Sequence, residues 1–455
     1  MPSPTNLGDS LARACATPAC RATPLHPARP ARIVGAQGQL RGRLPRFQTP
    51  TNLSGSAVRL LVNPHRRDGY GETENAVMQA AEADTAAAEI RSWPDYAPTP
   101  LIPLPALARR MGVAALTVKH EGHRFAVGSF KALGPPYAAI QVMKAELARH
   151  GAADARTADI LSGRHAGLAH SFTFTAATSG NHGRAVAWAA QRFGAMSRIY
   201  MHAGVSPGRA AAIASFGATV VRVPGTFDDA LNRCLADATG DSTFVIADQP
   251  HARAPDVPRL TIHGYGVLGM ELAVNAHDAT HVFVGAGNGS LAAAITARLW
   301  LTLGRKRPRV VTVEPLTADG ALRAATEGRP VPVPGDLATV MDGLAVGTVS
   351  PLAWPVLAGG AHAFLAIPDT AAIAGLRMAA AGDEGDPALA IGETGIAGLA
   401  GALTVLGDRA LRRQLGVTAN SRIVAVACEG ATDPAVYRGL VGRDAEHVEP
   451  RGAAS

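Results

Sequence analysis

The sequence predicts an α/β fold in which mostly parallel strands alternate with amphipathic helices. Short segments rich in β-branched residues are typical of strands that helices cover on both faces. The predicted strands are Leu116–His120, Arg198–His202, Thr219–Val223, Thr243–Ala247, His281–Val284, Arg309–Val313 and Ser421–Ala427. Their alternation with helices implies right-handed crossovers between parallel strands.

The helices between these strands have recognisable ends. Pro207 opens a predicted helix, which Gly217 ends. The helix from Leu291 to Leu303 stops at Gly304 in the same way. The nearly uncharged stretch 388–407 contains five glycines and one glutamate, so it predicts a buried glycine-rich turn before a helix rather than a membrane span.

Length and composition indicate a two-domain globular protein. A chain of 455 residues exceeds one ordinary core, and 47% apolar residues give it much to bury. The net charge of +7 fits an anionic substrate or cofactor and, without a basic stripe, does not favour nucleic acid. Four cysteines form no zinc or disulfide pattern, so we expect no metal site and a cytoplasmic location.

Residues 1–50 differ from the rest of the chain. They carry seven arginines and one acidic residue and have no regular hydrophobic period. We expect a disordered extension here, with a transit-like segment as the alternative.

Lys131 lies at the centre of the motif Gly-Ser-Phe-Lys-Ala-Leu-Gly at 128–134, shortly after a predicted strand. A lysine in a loop is most often a solvated surface charge. Ligands of α/β proteins, however, bind at the carboxyl ends of strands, and three loops at such ends are rich in glycine and polar residues. Lys131 is therefore a candidate for an amine with a chemical role.

Each of the three loops has a functional and an ordinary interpretation. The loop at 177–183 opens a helix with Ser179 and Asn181, which offer donors to a ligand or simply cap the helix. The glycine-rich loop at 285–290 favours a phosphate at a helix N-terminus over a plain turn, although it lacks dinucleotide and P-loop spacing. The loop at 428–433 is a polar strand end or an ordinary turn before a helix.

Pyridoxal 5′-phosphate is a cofactor that needs all of these features together. It requires an amine for a Schiff base, donors to its phenolate oxygen, a phosphate clamp and a partner for its pyridine nitrogen. Lys131 and the three loops can supply these four parts.

The motifs also follow the order of a known family. Over about residues 90–440 the chain resembles the fold-type II pyridoxal-phosphate enzymes, the tryptophan synthase β and threonine deaminase group, and within it the diaminopropionate ammonia-lyases. The motifs that carry this likeness are Tyr96–Leu101, Val118–Glu121, Arg124–Phe125, Gly128–Gly134, Thr178–Arg184, Val186–Ala190, Val313–Pro315, Met341–Leu344, Gly392–Gly395 and Glu429–Pro434.

The resemblance implies a particular architecture. It consists of two three-layer α/β domains with mostly parallel sheets and the cofactor in the cleft between them. The larger domain would comprise residues 51–142 and 259–455, and the smaller one residues 143–258. Homodimers are usual in this group, so we expect a homodimer that binds a small amino-acid substrate.

The resemblance also assigns roles to residues. Lys131 would carry the cofactor, Phe130 would pack near its ring and Asn181 would bind its 3′-oxygen. The phosphate would be bound by Gly285, Gly287, Asn288, Gly289 and Ser290. The candidates for the pyridine nitrogen are Glu429, which would keep it protonated, and Thr432, which would leave it closer to neutral; we favour Thr432.

The activity implied is α,β-elimination from a small β-substituted amino acid such as 2,3-diaminopropionate, giving a 2-oxo acid and ammonia. Lys131 would remove the α-proton. A dehydratase for serine, threonine or hydroxyaspartate and a β-substitution synthase are alternatives. A non-catalytic regulatory protein that binds pyridoxal phosphate is a third, against which the presence of Lys131 argues.

Two acidic positions of the relatives bear on the substrate. Relatives that accept both enantiomers carry an aspartate before the Gly-Asn-His sequence, where this chain has Ser179. A hydroxyl without a paired base removes such a proton poorly, so we expect weak or absent activity on the D-enantiomer. Asp248 matches a second acid near the substrate's amino end, or else is an ordinary strand-end cap.

Overall fold

Two sheets organise the part of the chain that the structure, a computed structural model, describes: residues 58–250, 252–383 and 385–448. The predicted extension at 1–50 lies outside these residues. The strands are β1 Arg59–Val62, β2 Leu101–Pro103, β3 Ala115–His120, β4 Thr173–Ala177, β5 Met196–His202, β6 Thr219–Val223, β7 Thr243–Val245, β8 His281–Gly285, β9 Arg309–Pro315, β10 Ala363–Ile367 and β11 Arg422–Ala427.

The larger sheet has seven strands in the order β1-β10-β9-β8-β11-β3-β2, and the smaller has four in the order β6-β5-β4-β7. Only the edge strands β1 and β2 pair antiparallel with their neighbours. All other pairs are parallel, in registers such as His281 opposite Arg309 and Thr173 opposite Met196. The predicted α/β fold with mostly parallel sheets is confirmed.

The α-helices cover both sheets. They are α1 Glu72–Asn75, α2 Ala80–Arg91, α3 Pro105–Met111, α4 Gly134–Arg149, α5 Thr157–Leu161, α6 Ala166–Ala169, α7 Asn181–Phe193, α8 Pro207–Ala214, α9 Phe227–Asp237, α10 Val257–Asn275, α11 Ser290–Leu303, α12 Gly320–Glu327, α13 Trp354–Gly360, α14 Asp369–Ala381, α15 Ala397–Gly407, α16 Arg409–Leu415, α17 Pro434–Val441 and α18 Ala445–Val448. Short 3₁₀ turns include Phe130–Ala132 and Asp342–Leu344.

Residue alternation along the strands gives each sheet two covered faces. Along β11, Val424 and Val426 join the core beneath α10 and α11, whereas Ile423 and Ala425 join a second core beneath α14 and α15. Along β5 of the smaller sheet, Ile199 and Met201 join the core with α7, whereas Tyr200 packs with residues of α9. Each sheet is therefore the middle of three layers. The predicted boundaries near residues 142 and 258 stay a prediction, and the strands of the two sheets fall on opposite sides of them.

The predicted segments correspond to observed elements with small shifts at their ends. The helix opened by Pro207 ends at Ala214, and turn hydrogen bonds continue the chain to Gly217. The helix before Gly304 begins at Ser290, one residue before the predicted start at Leu291. The stretch 388–407 ends in α15, and no helix among the described residues is long and apolar enough to cross a membrane.

Candidate active site

The carboxyl ends of neighbouring strands bring the predicted loops to one region. β8, β11 and β3 are adjacent in the larger sheet, and they lead to the loop at 285–290, the loop at 428–433 and the segment that contains Lys131. The backbone N–H of Phe130 donates to the carbonyl oxygen of Cys428 at 2.9 Å, which holds the lysine segment against the end of β11.

Lys131 lies between two aromatic rings with its side chain 17% exposed. Its Nζ is 5.3 Å from the ring centre of Phe130 and 5.7 Å from that of Tyr265. The close approach of Tyr265 depends on Gly134, since a Cβ there would lie 2.4 Å from Tyr265 Cε1. The packing of Tyr265 against the lysine motif therefore requires a glycine at position 134.

Asp248 is the acidic partner of the lysine. Lys131 Nζ donates to Asp248 Oδ2 at 3.2 Å, and the Asp248 carbonyl accepts a 3.3 Å hydrogen bond from the side-chain amide of Asn288. Asp248 therefore links the lysine to the glycine-rich loop. Its role in the reaction stays a prediction.

Burial and charge act in opposite directions on this pair. Burial lowers the pKa of Lys131, but Tyr265 and Asp248 outweigh it and the net pKa is raised. The pKa of Tyr265 is itself raised to about 12, so its hydroxyl is neutral at pH 7 and Asp248 is the charged partner of Lys131. For Asp248, burial raises the pKa, while Lys131 and His182 lower it to below its ordinary value.

His182, which sequence reasoning did not select, faces Asp248. Its Nε2 lies 2.6 Å from the carbonyl oxygen of Ile246, so this nitrogen carries the proton and donates. Its Nδ1 lies 3.9 Å from Asp248 Oδ2 and has no hydrogen-bond partner among the described residues. Burial lowers the pKa of His182, so the ring is neutral at pH 7.

The glycine-rich loop forms a narrow turn at the start of a 14-residue helix. Gly285 ends β8, Gly287 and Asn288 form the turn, Gly289 caps α11 and Ser290 begins it. Asn288 Oδ1 accepts from the Ser290 N–H at 3.0 Å. The positive end of the helix macrodipole and the absence of Cβ atoms suit a phosphate group here.

Gly289→Ala is expected to weaken pyridoxal phosphate binding by about 10-fold to 100-fold, corresponding to roughly 1–3 kcal/mol of overpacking and strain. Gly289 has φ +86°, and a Cβ would lie 2.8 Å from Val349 Cγ2. Gly304→Ala is the matched control, because Gly304 ends the same helix with φ +55° and has open space around its Cβ position. Titration of the cofactor followed by absorbance measures both. Equal losses would show that the crowding at Gly289 is unimportant.

Asn181 and Glu429 meet across the site. Asn181 begins α7, and its Nδ2 donates to Glu429 Oε2; Glu429 Oε1 accepts from the Thr394 N–H at 3.1 Å. Burial, with the neighbouring Glu393, raises the pKa of Glu429 to about 7. The second N–H of the Asn181 amide is not used by this contact and can still serve a cofactor oxygen.

The pyridine nitrogen partner stays a prediction. Glu429 uses both carboxylate oxygens on protein donors, and Thr432 is half-buried in the following turn, where its N–H bonds the Gly430 carbonyl at 2.8 Å. Sequence reasoning did not select Cys428 as a site residue. Burial raises the pKa of its thiol, and the nearby Lys131 ammonium opposes that rise.

These residues fit pyridoxal phosphate. The part-buried amine between two rings, the amide donor of Asn181 and the glycine-rich helix start provide three different chemical groups that the cofactor needs. Among the described residues no group of three or more histidine, cysteine, aspartate or glutamate side chains is arranged to hold a metal ion.

The sequence of this chain is similar to those of known pyridoxal-phosphate enzymes. A family model described as "Pyridoxal-phosphate dependent enzyme" matches residues 93–429. Diaminopropionate ammonia-lyase of Escherichia coli strain K12 is 32% identical over 363 residues, covering 78% of this chain and 90% of that protein. The enzyme of the same name from Salmonella typhimurium strain LT2 is 30% identical over 376 residues, covering 78% and 91%.

The fold of this chain is similar to that of solved structures. The Escherichia coli diaminopropionate ammonia lyase complex with D-serine has a TM-score of 0.76 at 28% identity and covers 85% of this chain and 97% of that chain. The complex of that enzyme with an aminoacrylate-PLP azomethine reaction intermediate has a TM-score of 0.73, with the same identity and coverage. The chain is thus an enzyme, a pyridoxal-phosphate-dependent lyase with a small amino-acid substrate, and it belongs to the fold-type II family of pyridoxal-phosphate-dependent enzymes.

Proposed function

We propose that this lyase eliminates ammonia from 2,3-diaminopropionate or a closely similar amino acid that bears a β-amino group. The observation that carries this proposal is the Asp248 carboxylate 3.2 Å from Lys131 Nζ. Lys131 must be neutral to act as a base, and Asp248 then loses its cationic partner. Because neutral His182 does not replace that charge, a β-ammonium group of the substrate is the natural replacement.

Different residues of the site have different roles in the proposed reaction. The backbone N–H groups of Ser179 and Asn181, at the start of α7, bind the substrate carboxylate, because those of Thr178 and Gly180 already donate to the Tyr200 carbonyl oxygen and to Thr178 Oγ1. Bound pyridoxal phosphate supplies the electron-withdrawing ring that acidifies the α-proton. Lys131 Nζ takes that proton, and Asp248 holds the β-ammonium in its cationic form, which leaves as ammonia.

A substrate panel combined with Asp248→Asn tests this proposal. We expect the wild-type enzyme to prefer diaminopropionate over serine and threonine. Loss of the charged hydrogen bond should lower kcat/KM for diaminopropionate by about 10-fold to 100-fold and affect serine much less, as for interactions of roughly 1.5–3 kcal/mol. Assays of 2-oxo acid and ammonia measure this. Better turnover of serine than of diaminopropionate by the wild type would support a dehydratase instead.

We also propose that the enzyme acts weakly or not at all on the D-enantiomer. Ser179 is half-buried, and its carbonyl oxygen accepts from Arg209 Nη1 at 3.3 Å, but no acidic side chain occupies its position. Turnover of D-diaminopropionate is expected to be at least about 100-fold below that of the L-form, because general-base catalysis contributes roughly 10²–10⁴-fold. Ser179→Asp should raise D-turnover, with Ser179→Asn as its uncharged control. Comparable wild-type rates on both enantiomers would refute the proposal.

We further propose a cytoplasmic homodimer. The two cysteines within the described residues, Cys234 and Cys428, are buried and unpaired, which suits a reducing compartment. The dimer rests on the family resemblance, and light scattering of the purified full-length chain tests it.

A further inference from the structure

The guanidinium of Arg209, on α8, connects loops of the two sheets beside the active site. Its Nη2 donates to Glu393 Oε1 at 2.7 Å, its Nη1 donates to the Asp342 carboxylate, and its Nε lies 3.5 Å from Asp433 Oδ2. The same Nη1 donates to the carbonyl oxygen of Ser179 at 3.3 Å. Arg209 and Ser179 follow strands of the smaller sheet, whereas the three acids lie in connections of the larger one.

Asn181, two residues after Ser179, is also held by a residue from a connection of the larger sheet. Its side chain donates to Glu429, which follows β11 of the larger sheet. Between them, Gly180 packs against the arginine stem, because a Cβ at Gly180 would lie 3.3 Å from Arg209 Cδ. Arg209 therefore holds one end of the turn Ser179–Asn181, and it is itself paired with acids from the connections of the larger sheet. Glu429, which follows a strand of the larger sheet, holds the other end.

Arg209 favours the charged form of the acidic side chains Glu393 and Glu429. Burial and Glu393 raise the pKa of Glu429, and Arg209 opposes that rise. Burial also raises the pKa of Glu393, whose Oε2 has no hydrogen-bond partner among the described residues. A guanidinium stays charged at all accessible pH values, so Arg209 is a permanent counter-ion for these acids. Its removal would leave buried carboxylates uncompensated and free the turn.

The turn that this cluster fixes is the one that the proposed reaction uses. Its N–H groups bind the substrate carboxylate, and Asn181 binds the cofactor oxygen, so an error in its position affects both ligands. Misplacement of reacting groups by about 1 Å can cost roughly 100-fold in rate.

We propose that Arg209 and Glu429 are positioning residues, which hold the turn Ser179–Asn181 across the cleft in the geometry that binds the substrate carboxylate and the cofactor 3′-oxygen. In this proposal Arg209 acts through the turn, Glu429 acts through its bond to Asn181, and Thr432 stays the favoured partner of the pyridine nitrogen. This inference rests on the proposed function.

Substitution of the arginine tests the substrate side of the proposal. Arg209→Met is expected to raise KM for diaminopropionate by about 10-fold to 100-fold, while the visible absorbance of bound pyridoxal phosphate is retained at saturating cofactor. Arg209→Lys keeps the charge but cannot serve four acceptors in a planar fork, so it should give an intermediate KM. Arg412→Met is the control, because Arg412 also ties distant segments together, through the carbonyl oxygens of Met111 and Gly112.

Substitution of the glutamate tests the cofactor side without an activity assay. Glutamine at position 429 can accept from Asn181 or from the Thr394 N–H, but its amide nitrogen cannot replace the second acceptor. Glu429→Gln is expected to shift the visible absorbance of bound cofactor and the pH at which that absorbance changes. Arg209, Glu393 and Cys428 are the titratable groups that face Glu429 and stay unchanged in this variant.

The possible results distinguish a failure of this inference from a failure of the proposed function. A wild-type protein without visible cofactor absorbance or lyase activity would refute the proposed function itself. An active wild type together with Arg209→Met at wild-type KM, and Glu429→Gln with a wild-type spectrum, would overturn the positioning roles. If Arg209→Met does not fold, Arg209→Lys decides: a wild-type KM there also overturns the inference.

Discussion

Lys131→Ala is expected to lower turnover of the preferred substrate by roughly 10³-fold or more and to abolish the visible absorbance of bound pyridoxal phosphate. A positioned general base alone contributes about 10²–10⁴-fold, and this lysine is also the amine that bonds the cofactor. None of the other three lysines replaces it here. Lys119 is buried in an ion pair with Glu271, Lys144 pairs with Glu89 at 2.7 Å, and Lys306 is exposed in the turn after the C-terminal end of α11.

The matched control is Lys144→Ala on α4, the helix that follows the lysine motif. This variant removes one lysine and one ion pair with Glu89 but leaves the amine at 131 in place. We expect near wild-type turnover and a normal spectrum. Absorbance spectra and single-turnover rates of both variants check the prediction. A Lys131→Ala protein that keeps the visible band and its rate would refute the role given to Lys131, and with it the proposed mechanism.

Local sequence predicted much of the sheet framework. The β-branched segment Thr219–Val223 matches β6 at both ends, and the segment at 309–313 lies within β9. The four strands that were not predicted carry this signal only weakly. β1 has four residues with one β-branched side chain, β2 has three residues and contains Pro103, β10 is Ala-Phe-Leu-Ala-Ile, and β4, directly before the loop at 177–183, is Thr-Phe-Thr-Ala-Ala. Long-range pairing decides these segments, because short or alanine-rich runs have no strong strand preference of their own.

The predicted site is a set of loops, and the structure adds the contacts between them. The order of the strands in the larger sheet brings the loops at 131, 285 and 428 together. A single sequence does not give that order, and it indicates only that ligands bind at the carboxyl ends of the strands. Tyr265 and Arg209 were missed because no local motif marks them. Their contacts with Lys131 and Glu393 span more than a hundred residues of sequence. The sequence alone does not distinguish Arg209, which lies among acidic side chains, from an arginine on the surface.

A second large effect is expected in stability, from the buried charge cluster beneath the active site. Glu271 on α10 pairs with Lys119 of β3 and accepts from Arg124 Nη1 at 2.8 Å; all three side chains are at most 1% exposed. Arg124 also pairs with Glu121 at 2.9 Å, so the cluster is neutral overall. Glu271→Leu is expected to lower the free energy of unfolding by about 3–5 kcal/mol, because it leaves the Lys119 ammonium buried and uncompensated.

Two companion variants make this prediction specific. Asp278→Asn breaks an exposed ion pair with Arg422, whose side chains are 53% and 47% exposed, and should cost at most about 1 kcal/mol. The double variant Lys119→Met/Glu271→Leu removes both charges and leaves Arg124 paired with Glu121. It should recover a large part of the loss, since apolar replacements of whole buried ion pairs are often tolerated. Denaturant unfolding measures all three proteins, and a double variant as unstable as Glu271→Leu would argue against uncompensated charge as the cause.

The pH dependence of unfolding separates the ionic contribution of Glu271 from its packing contribution. Burial raises the pKa of Glu271, but Arg124 and Lys119 outweigh this and hold it below its ordinary value. The carboxylate therefore stabilises the fold fully above its unfolded pKa of about 4.3, and this contribution disappears as the pH falls through the lower folded pKa. The difference in stability between wild type and Glu271→Leu should shrink on acidification. A difference that stays constant from pH 7 to pH 3 would mean that Glu271 acts through its packing and not through its charge.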